Sequence, residues 1–392
     1  MSSDSANLTL RGAQLILPGG TATGTLVVEN GIITSITDGG NEAKASGQSL
    51  DLDGLVLMAG FIDVHIHGAV GIDTMDASTD DLRRIAGYLA GRGVTAWLPT
   101  LVPGPDDDYR RVANSVTELM SDQARGDSTS NALGLHYEGP FISSAQCGAL
   151  RPPFFRTFGT GKHVDSLETV KLAGAVHMTT VAPEIDGGID LVRELTVRGW
   201  IVSIGHTRAQ PDVLDQACDA DARHMTHFMN AMAPLHHRAP GPIGWGLLND
   251  RVTCDMIADG VHTDPMMLKL GLRCKSVDRL LLISDAVAPA GLGDGDYRIW
   301  GEKIVVTDGK TQNERGSIAG SVITMIDAVR MMSGLGVPLG DVSRMASMNP
   351  ARLLAVEGTR GSIEVGKRAD LVALDSDLNV VHTFVGGSSA AY

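Results

Sequence analysis

Short apolar segments rich in β-branched residues recur through the middle of the chain, with helix-like segments between most of them. Strand–helix alternation of this kind predicts a parallel sheet. Leu280-Leu281-Leu282-Ile283 is apolar at every position, as expected of a strand buried on both faces. Eight units close a (β/α)8 TIM barrel, which is the α/β fold we predict, and a doubly wound open sheet is the alternative. The predicted strands lie at 55–64, 94–98, 132–137, 176–181, 200–204, 222–226, 252–257 and 280–284.

Helices are predicted between several of these strands. Ser78, followed by Asp80 and Asp81, is typical of a helix N-terminus. The apolar residues after it keep the three-to-four spacing of one helix face: Leu82, Ile85, Ala86 and Leu89. Residues 190–198 and 265–272 show a similar pattern and are also predicted to be helical.

Both ends of the chain have the pattern of short strands. Asn30-Gly31 separates two β-like segments, and Asn-Gly between apolar segments is the strongest short hairpin signal. The same pattern returns near the C-terminus, at 361–363, 369–374 and 380–385. We therefore predict a small β-sandwich domain built from both termini, residues 1–58 and 350–392, beside a barrel domain at 59–349.

Composition limits the possible classes of function. A hydrophobic share of 43% with 20% charged residues predicts a soluble globular protein. The 46 acidic and 32 basic residues give a net charge of −14, which argues against a nucleic-acid or anionic-membrane partner. Residues 1–5 lack the pattern of a signal peptide, and the four cysteines show no CxxC spacing. We expect a cytoplasmic protein.

Histidine and glutamate residues follow the predicted strands. In a TIM barrel the catalytic residues lie at the C-terminal ends of the strands. His65 and His67 are two residues apart, so on a strand they point to the same face. Glu138, His206 and His227 follow three other strands, and three such ligands with one open position are typical of catalytic zinc. Each alone is most simply a core or turn residue, but together they predict a metal site for zinc or ferrous iron.

Three further polar positions are candidates for catalysis or binding. Asp285 follows the eighth strand, where it is either a general base or the N-cap of the next helix. His262 comes after the turn signal Asp259-Gly260 and is either a site residue or an exposed loop histidine. The cluster that ends in Arg238 is either an anion-binding spot or a solvated basic patch.

At this point longer motifs become recognisable. His136-Tyr137-Glu138-Gly139-Pro140-Phe141 and His227-Phe228-Met229-Asn230-Ala231-Met232 are the most specific, and 60–68 and 361–372 mark a wider superfamily. With 205–207, 258–262 and 284–286, they extend over nearly the whole chain. The chain resembles the amidohydrolase superfamily and, within it, the family of N-acetylglucosamine-6-phosphate deacetylases.

The resemblance implies a reaction and roles for particular residues. It implies that Glu138, His206 and His227 hold the principal divalent metal, and that His65 and His67 share Glu138 with a second ion. That gives one or two ions per subunit, zinc or ferrous iron. The reaction implied is hydrolysis of N-acetyl-D-glucosamine 6-phosphate to glucosamine 6-phosphate and acetate. Asp285 would be the general base and His262 would stabilise the oxyanion.

The resemblance also implies substrate contacts and a homodimer, in which Arg238 reaches the phosphate group from the neighbouring subunit. The implied contacts are Ala149, Asn230, Ala231, Arg238, His262, Ile318, Ala319 and Gly320. The alternatives are an amidohydrolase for another amide, such as N-acetylgalactosamine 6-phosphate, an N-acyl-D-amino acid or a cyclic ureide, and a non-catalytic barrel that serves as a scaffold.

One loop departs from the family pattern. After the glutamate motif the family carries a basic pair, a glycine, a small residue and a histidine, but this chain has Gln146-Cys147-Gly148-Ala149-Leu150. Two positive charges and one imidazole are therefore missing. We expect a mobile surface loop that acts as a lid. Cys147 is expected to shape this lid rather than act as a nucleophile, because no histidine base is adjacent to it in the sequence.

Overall fold

A computed structural model of the chain describes residues 7–38, 47–159 and 164–390. The N-terminal residues in which no signal peptide is predicted lie outside the described residues. In the described ranges, no helix combines the length and the apolar character that crossing a membrane would require.

The middle of the chain forms a closed parallel barrel. Each strand pairs with the next one along the chain, from the first to the eighth. Hydrogen bonds close the circle, because the amide of Asp285 donates to the carbonyl of His65 at 2.9 Å and that of His67 to Ala286 at 2.8 Å. The TIM barrel is confirmed and the open sheet is excluded. The eight barrel strands are Phe61–Ile66, Val94–Leu101, Gly134–Tyr137, Val176–Val181, Ile201–Ile204, His224–Met225, Thr253–Ile257 and Leu280–Ile283.

Helices cover the outside of the barrel. The predicted start at Ser78 is confirmed, because its side chain and that of Asp81 form a reciprocal capping box. The helices predicted at 190–198 and 265–272 are present with slightly different ends. The α-helices are Thr79–Ala90, Asp106–Ala124, Gly188–Val197, Pro211–Asp219, Gly241–Leu248, Pro265–Cys274, Met325–Gly334, Leu339–Ser343 and Asn349–Leu353, with a π-helix at Arg344–Met348. Short 3₁₀ turns lie at Ser144–Gln146, Pro152–Phe154, Val164–Ser166 and Val277–Arg279.

Strands from both ends of the chain form a separate sheet with its own core. The turn Asn30-Gly31 has φ angles of 52° and 78°, as a type I′ hairpin requires. The β unit built from both termini is therefore confirmed, and its described strands belong to one hydrogen-bonded sheet. They are Leu8–Leu17, Gly20–Glu29, Ile32–Asp38, Gln48–Asp51, Val56–Ala59, Leu371–Leu374, Val380–Val385 and Ser388–Ser389.

The first predicted strand, 55–64, proves to be two strands. Val56–Ala59 pairs with Leu371–Leu374 in the terminal sheet, and Phe61–Ile66 begins the barrel. Ala351 and Leu354 pack with barrel residues such as Ile283. The division of the chain at residues 58 and 350 stays a prediction.

A three-stranded antiparallel sheet that was not predicted comes between the eighth strand and helix Met325–Gly334 in the chain. It consists of Gly295–Ile299, Glu302–Thr307 and Lys310–Asn313, and we call it the insertion sheet. Asp308-Gly309, a hairpin signal with both φ angles positive, could have revealed it. The insertion sheet packs through a small core of its own: Val287, Ile299, Ile304 and Ala319. A further hairpin, Gly68–Ala69 with Ile72–Asp73, follows the first barrel strand.

The buried eighth strand provides a test of the barrel core. Leu282 is fully buried, so Leu282→Ala should lower the free energy of unfolding by about 2–5 kcal/mol through lost burial and the cavity left behind. Leu248, which is 80% exposed, is a matched control, and its change to alanine should cost about 0.5 kcal/mol or less. Denaturant midpoints measure both, and equal midpoints for the two variants would contradict this packing.

Candidate metal centre

Side chains from five strand ends meet at the C-terminal mouth of the barrel. His65 and His67 come from the first strand, and Glu138 follows the third. His206, His227 and Asp285 follow the fifth, sixth and eighth strands. Their φ angles are 47°, 30° and 49°, in the left-handed region that non-glycine residues seldom occupy. Strained backbone of this kind is retained where the position of a side chain matters.

Glu138 lies between two pairs of histidines. Its Oε1 is 2.8 Å from His206 Nε2 and 3.0 Å from His227 Nε2. Its Oε2 is 3.2 Å from His67 Nε2, and its Oε1 is 3.7 Å from His65 Nε2. Two possible metal-ligand groups therefore share one carboxylate: His65, His67 and Glu138, and Glu138, His206 and His227.

The histidine nitrogens converge as ligands of a cation do. The Nε2 atoms of His65 and His67 are 3.1 Å apart, and so are those of His206 and His227. The opposite nitrogens of His206 and His227 face backbone carbonyls, at 2.8 Å from Gln146 O and 3.2 Å from Asn230 O. A carbonyl can only accept, so each Nδ1 carries the proton and each Nε2 lone pair is free for a metal. These residues therefore fit a divalent metal ion.

The electrostatics point the same way. Burial raises the pKa of Glu138, but His206, His227 and His67 outweigh it and hold the pKa well below the usual range. Burial lowers the pKa of His67, yet Asp285 and Glu138 raise it to about 10. Burial also lowers that of His227, and Glu138 raises it to about 9. The carboxylates of Glu138 and Asp285 thus stabilise positive charge near them, which either protons on the histidines or a metal ion can supply.

A buried polar network, not foreseen from the sequence, supports the ligands from below. Asp255 accepts a hydrogen bond from the backbone amide of His227 and lies 2.8 Å from His224 Nε2. Thr226 donates to Asp255 at 3.3 Å, and its hydroxyl is 2.9 Å from His65 Nδ1. Asp255 therefore links the ligands of the first and sixth strands.

Two alternatives for single residues can now be decided. No helix begins near Asp285, since the next described one starts at Met325, so the N-cap alternative is wrong. Asp285 Oδ1 instead lies 3.4 Å from His67 Nε2. His262 is not an exposed loop histidine, because its side chain is 8% exposed and its Nδ1 is 2.6 Å from Asp259 Oδ2.

A cavity of about 250 Å³ opens above these ligands. Eleven predicted residues line it: His67, Glu138, Ala149, His206, His227, Asn230, Ala231, His262, Asp285, Ile318 and Gly320. Four residues that were not predicted complete the wall: Gly148, Leu150, Trp300 and Ser317. A larger cavity, of about 830 Å³, opens between strand starts such as Ile201 and Thr253, away from the ligand groups.

Three predicted residues do not line this cavity. His65 is fully buried beside His67. Ala319 is fully buried in the core of the insertion sheet, and its contact with substrate stays a prediction. Arg238 is exposed, with its Nη1 2.8 Å from His237 Nε2, and does not line the cavity of its own chain. The predicted lid loop reaches the site through Gln146 and Gly148, and Cys147 is half-buried.

Known proteins are similar to this chain in sequence and fold. A model of the amidohydrolase family matches residues 56–389. The chain is 36% identical to N-acetylgalactosamine-6-phosphate deacetylase of Escherichia coli O157:H7, over 87% of this chain and 89% of that protein. It is 35% identical to N-acetylglucosamine-6-phosphate deacetylase of Bacillus subtilis, over 86% and 84%. The N-acetylglucosamine-6-phosphate deacetylase structure from Pasteurella multocida superposes with a TM-score of 0.90 at 31% identity, covering 98% and 100% of the two chains.

A mutant from Mycobacterium smegmatis was solved in complex with N-acetyl-D-glucosamine-6-phosphate. This N-acetyl-D-glucosamine-6-phosphate deacetylase superposes on the chain with a TM-score of 0.87 at 31% identity, and the match covers 99% and 100% of the two chains.

The shared carboxylate makes a prediction about metal content. Glu138→Gln should remove most of the bound metal, because both ligand groups lose a charged oxygen. His65→Ala should lose only the ion of its own group. Elemental analysis of the purified variants measures both, and His382→Ala, on the terminal sheet, is the control that should keep the full content. Full metal in Glu138→Gln would show that the site is misassigned.

Proposed function

The chain belongs to the amidohydrolase family, and from this premise we propose that it hydrolyses the acetamide of N-acetyl-D-glucosamine 6-phosphate. The products are D-glucosamine 6-phosphate and acetate, in amino sugar metabolism. One observation carries the proposal: a buried carboxylate shared by two histidine pairs faces a second carboxylate, Asp285, in one small cavity. The relatives with the same fold and about one third of the sequence in common are deacetylases of phosphorylated amino sugars by name.

The proposed metal ligands follow the two groups. Glu138, His206 and His227 would hold the principal ion, and His65 and His67 would hold a second one with Glu138. Zinc is the ion we propose, because histidine nitrogen and carboxylate oxygen are its usual ligands in catalytic sites. When bound, such an ion supplies a water molecule of lowered pKa and polarises the amide carbonyl.

Asp285 is the proposed general base and acid. Its side chain is 10% exposed, and its carboxylate lies within 3.6 Å of the Nε2 atoms of both His65 and His67. A carboxylate at this place can take a proton from the attacking water and deliver it to the leaving amine nitrogen. Because an amine is a poor leaving group until it is protonated, the second transfer is essential to breaking the amide bond.

His262 and Asn230 are proposed to position the substrate. Asp259 accepts from His262 Nδ1 at 2.6 Å, which fixes the ring. With a proton on both ring nitrogens, His262 would donate from Nε2 to the amide oxygen as negative charge develops there. Asn230 lines the same cavity on the loop after the sixth strand, and its amide can bond to sugar hydroxyls.

Arg238 is proposed to bind the phosphate group of the substrate across a homodimer interface. Among the described residues, those that line the cavity of one chain include His262 but no arginine or lysine, although the proposed substrate carries a dianionic phosphate. Arg238 is exposed on its own chain, as a residue that completes a neighbouring site must be before assembly. Its guanidinium suits bidentate contact with phosphate.

A second candidate substrate is N-acetylgalactosamine 6-phosphate, which has the same atoms at the reacting amide and at the phosphate. The E. coli relative named for that sugar is 36% identical to this chain. The two sugars differ in the direction of one hydroxyl group, so only the sugar-binding side of the cavity has to distinguish them.

Acetate release tests the proposed function. The wild type should release acetate from N-acetylglucosamine 6-phosphate with a higher kcat/KM than from the galactose isomer, and much faster than from unphosphorylated N-acetylglucosamine. Asp285→Asn should keep its metal and lose kcat on the order of a hundredfold or more, as expected when a general base is lost. Asp278→Asn, on the opposite end of the barrel, is the control. Preference for the galactose isomer would select the second candidate, and no acetate from any phosphorylated sugar would contradict both.

Subunit mixing tests the shared site. Arg238→Ala and Asp285→Asn subunits should each be nearly inactive alone, because one lacks the phosphate contact and the other lacks the base. Hybrid dimers contain one site with both residues intact, so the mixture should regain up to about half of the activity per hybrid. Exchange is verified by differently tagged subunits, and no recovery after verified exchange would contradict a site shared between subunits.

A further inference from the structure

Trp300 occupies an unusual turn at the edge of the metal cavity. Trp300 and Gly301 connect the first two strands of the insertion sheet, with φ angles of 52° and 82°. A two-residue hairpin turn with both angles positive favours Asn or Gly at the first position, because a Cβ atom crowds the left-handed backbone. A tryptophan there has a cost in conformational free energy that glycine, which lacks a Cβ atom, does not have.

The indole nitrogen of Trp300 is enclosed by the protein. Its Nε1 is buried, and the polar group with which it interacts is the carboxylate of Asp73. Buried indole groups usually find a hydrogen-bond acceptor. The left-handed backbone of Trp300, beside a cavity, indicates a functional constraint rather than a folding one.

The ring forms one wall of the cavity. It packs edge-on against the ring of His67, with centroids 5.4 Å apart and planes at 82°. Ala149 packs against the same small core as Trp300, and Arg315, two residues after the insertion sheet, donates to the carbonyl of Ala149 at 2.9 Å. The next residue, Leu150, is 2% exposed, and Ile318 completes the wall. This side of the cavity, which we call the apolar wall, therefore consists of Ala149, Leu150, Trp300 and Ile318.

Most of the remaining lining is polar, with Asn230 and His262 on the loops after the sixth and seventh strands. The proposed substrate has hydroxyl groups, a phosphate group and an amide, and its only methyl group is that of the acetyl group. Matching apolar to apolar places the acyl group against the apolar wall. At about 250 Å³ the cavity is smaller than the roughly 300–1,000 Å³ of ordinary ligand pockets, so the wall leaves little space for a longer chain.

We propose that Trp300 is the residue that determines acyl-chain length, closing the acyl subsite so that it admits acetyl and rejects longer chains. The inference rests on the proposed function and adds to it the part of the substrate that the apolar wall recognises. Trp300 acts by occupying volume next to the scissile amide, and it takes no part in proton transfer.

A series of acyl groups on one sugar phosphate tests this role. N-acetyl, N-propionyl and N-butyryl derivatives are prepared on the sugar phosphate that the wild type deacetylates, and kcat/KM is measured for each by product amine. The wild type should favour acetyl over butyryl by more than tenfold. Trp300→Ala should raise the butyryl-to-acetyl ratio by at least tenfold, since each misfit methylene in an apolar pocket is discriminated about 10- to 200-fold. Trp300→Phe should shift the ratio less.

Two controls separate the role of Trp300 from other effects. Val305→Ala lies on an exposed position of the same insertion sheet and should leave the ratio unchanged. Metal content is measured for every variant, because the ring contacts His67. Trp300→Leu, which keeps an apolar contact with less volume, serves if Trp300→Ala does not fold or loses metal, and it should also raise the ratio.

The outcomes distinguish the two levels of inference. A wild type that cleaves butyryl as fast as acetyl, or an unchanged ratio in a folded, metal-replete Trp300 variant, overturns the role of Trp300 and leaves the deacetylase proposal standing. Absence of amine from every acyl derivative in the wild type instead overturns the proposed function itself.

Discussion

Glu138 imposes the constraint on which the rest of the structure depends. A buried carboxylate is costly unless other groups compensate its charge, and here four imidazole rings surround it. The rings come from the first, fifth and sixth strands. In an open sheet with strands in chain order, the first and sixth would lie five spacings apart, roughly 24 Å at about 4.8 Å each. Only a closed barrel brings their ends to one carboxylate.

The surrounding backbone is built to serve that convergence. Ordinary strand geometry alternates side chains between the two faces, so a strand cannot by itself turn its last residue over the barrel mouth. The left-handed residues His206, His227 and Asp285 make that turn at three strand ends. The unfavourable backbone is held by specific bonds, such as those from the amide of His227 to Asp255 and from the amide of Asp285 to His65. Hydrogen bonds within the chain therefore hold the backbone beneath the site.

How much the sequence predicts follows from the range of each interaction. Strand ends are local features, because an apolar segment stops where polar residues begin, so the meeting of Glu138 and the four histidines at the barrel mouth could be predicted. The boundary at Gly60, between Val56–Ala59 and Phe61–Ile66, could not be predicted because apolar residues lie on both sides of it. Trp300 and Leu150 could not be predicted as one wall, since their meeting depends on how the insertion sheet packs against a loop 150 residues away in the chain. The proposed phosphate contact depends on a still longer range, because Arg238 lies outside the cavity of its own chain.

Gly60 has a consequence for how the protein can be divided. It is the single residue between Val56–Ala59 of the terminal sheet and the barrel strand that carries His65 and His67. A Cβ atom at Gly60 would lie 2.2 Å from Thr95 Cγ2. The amide of Gly60 donates to the carbonyl of Asp370, and the amide of the next residue donates to that of Gly93. The backbone at Gly60 is therefore tightly packed and hydrogen-bonded on both sides. Loss of the terminal sheet would release the first strand and its two ligands, so binding energy gained at the barrel mouth also stabilises the distant sheet. The barrel is thus not a module that can be excised, and the two cores should melt as one cooperative unit.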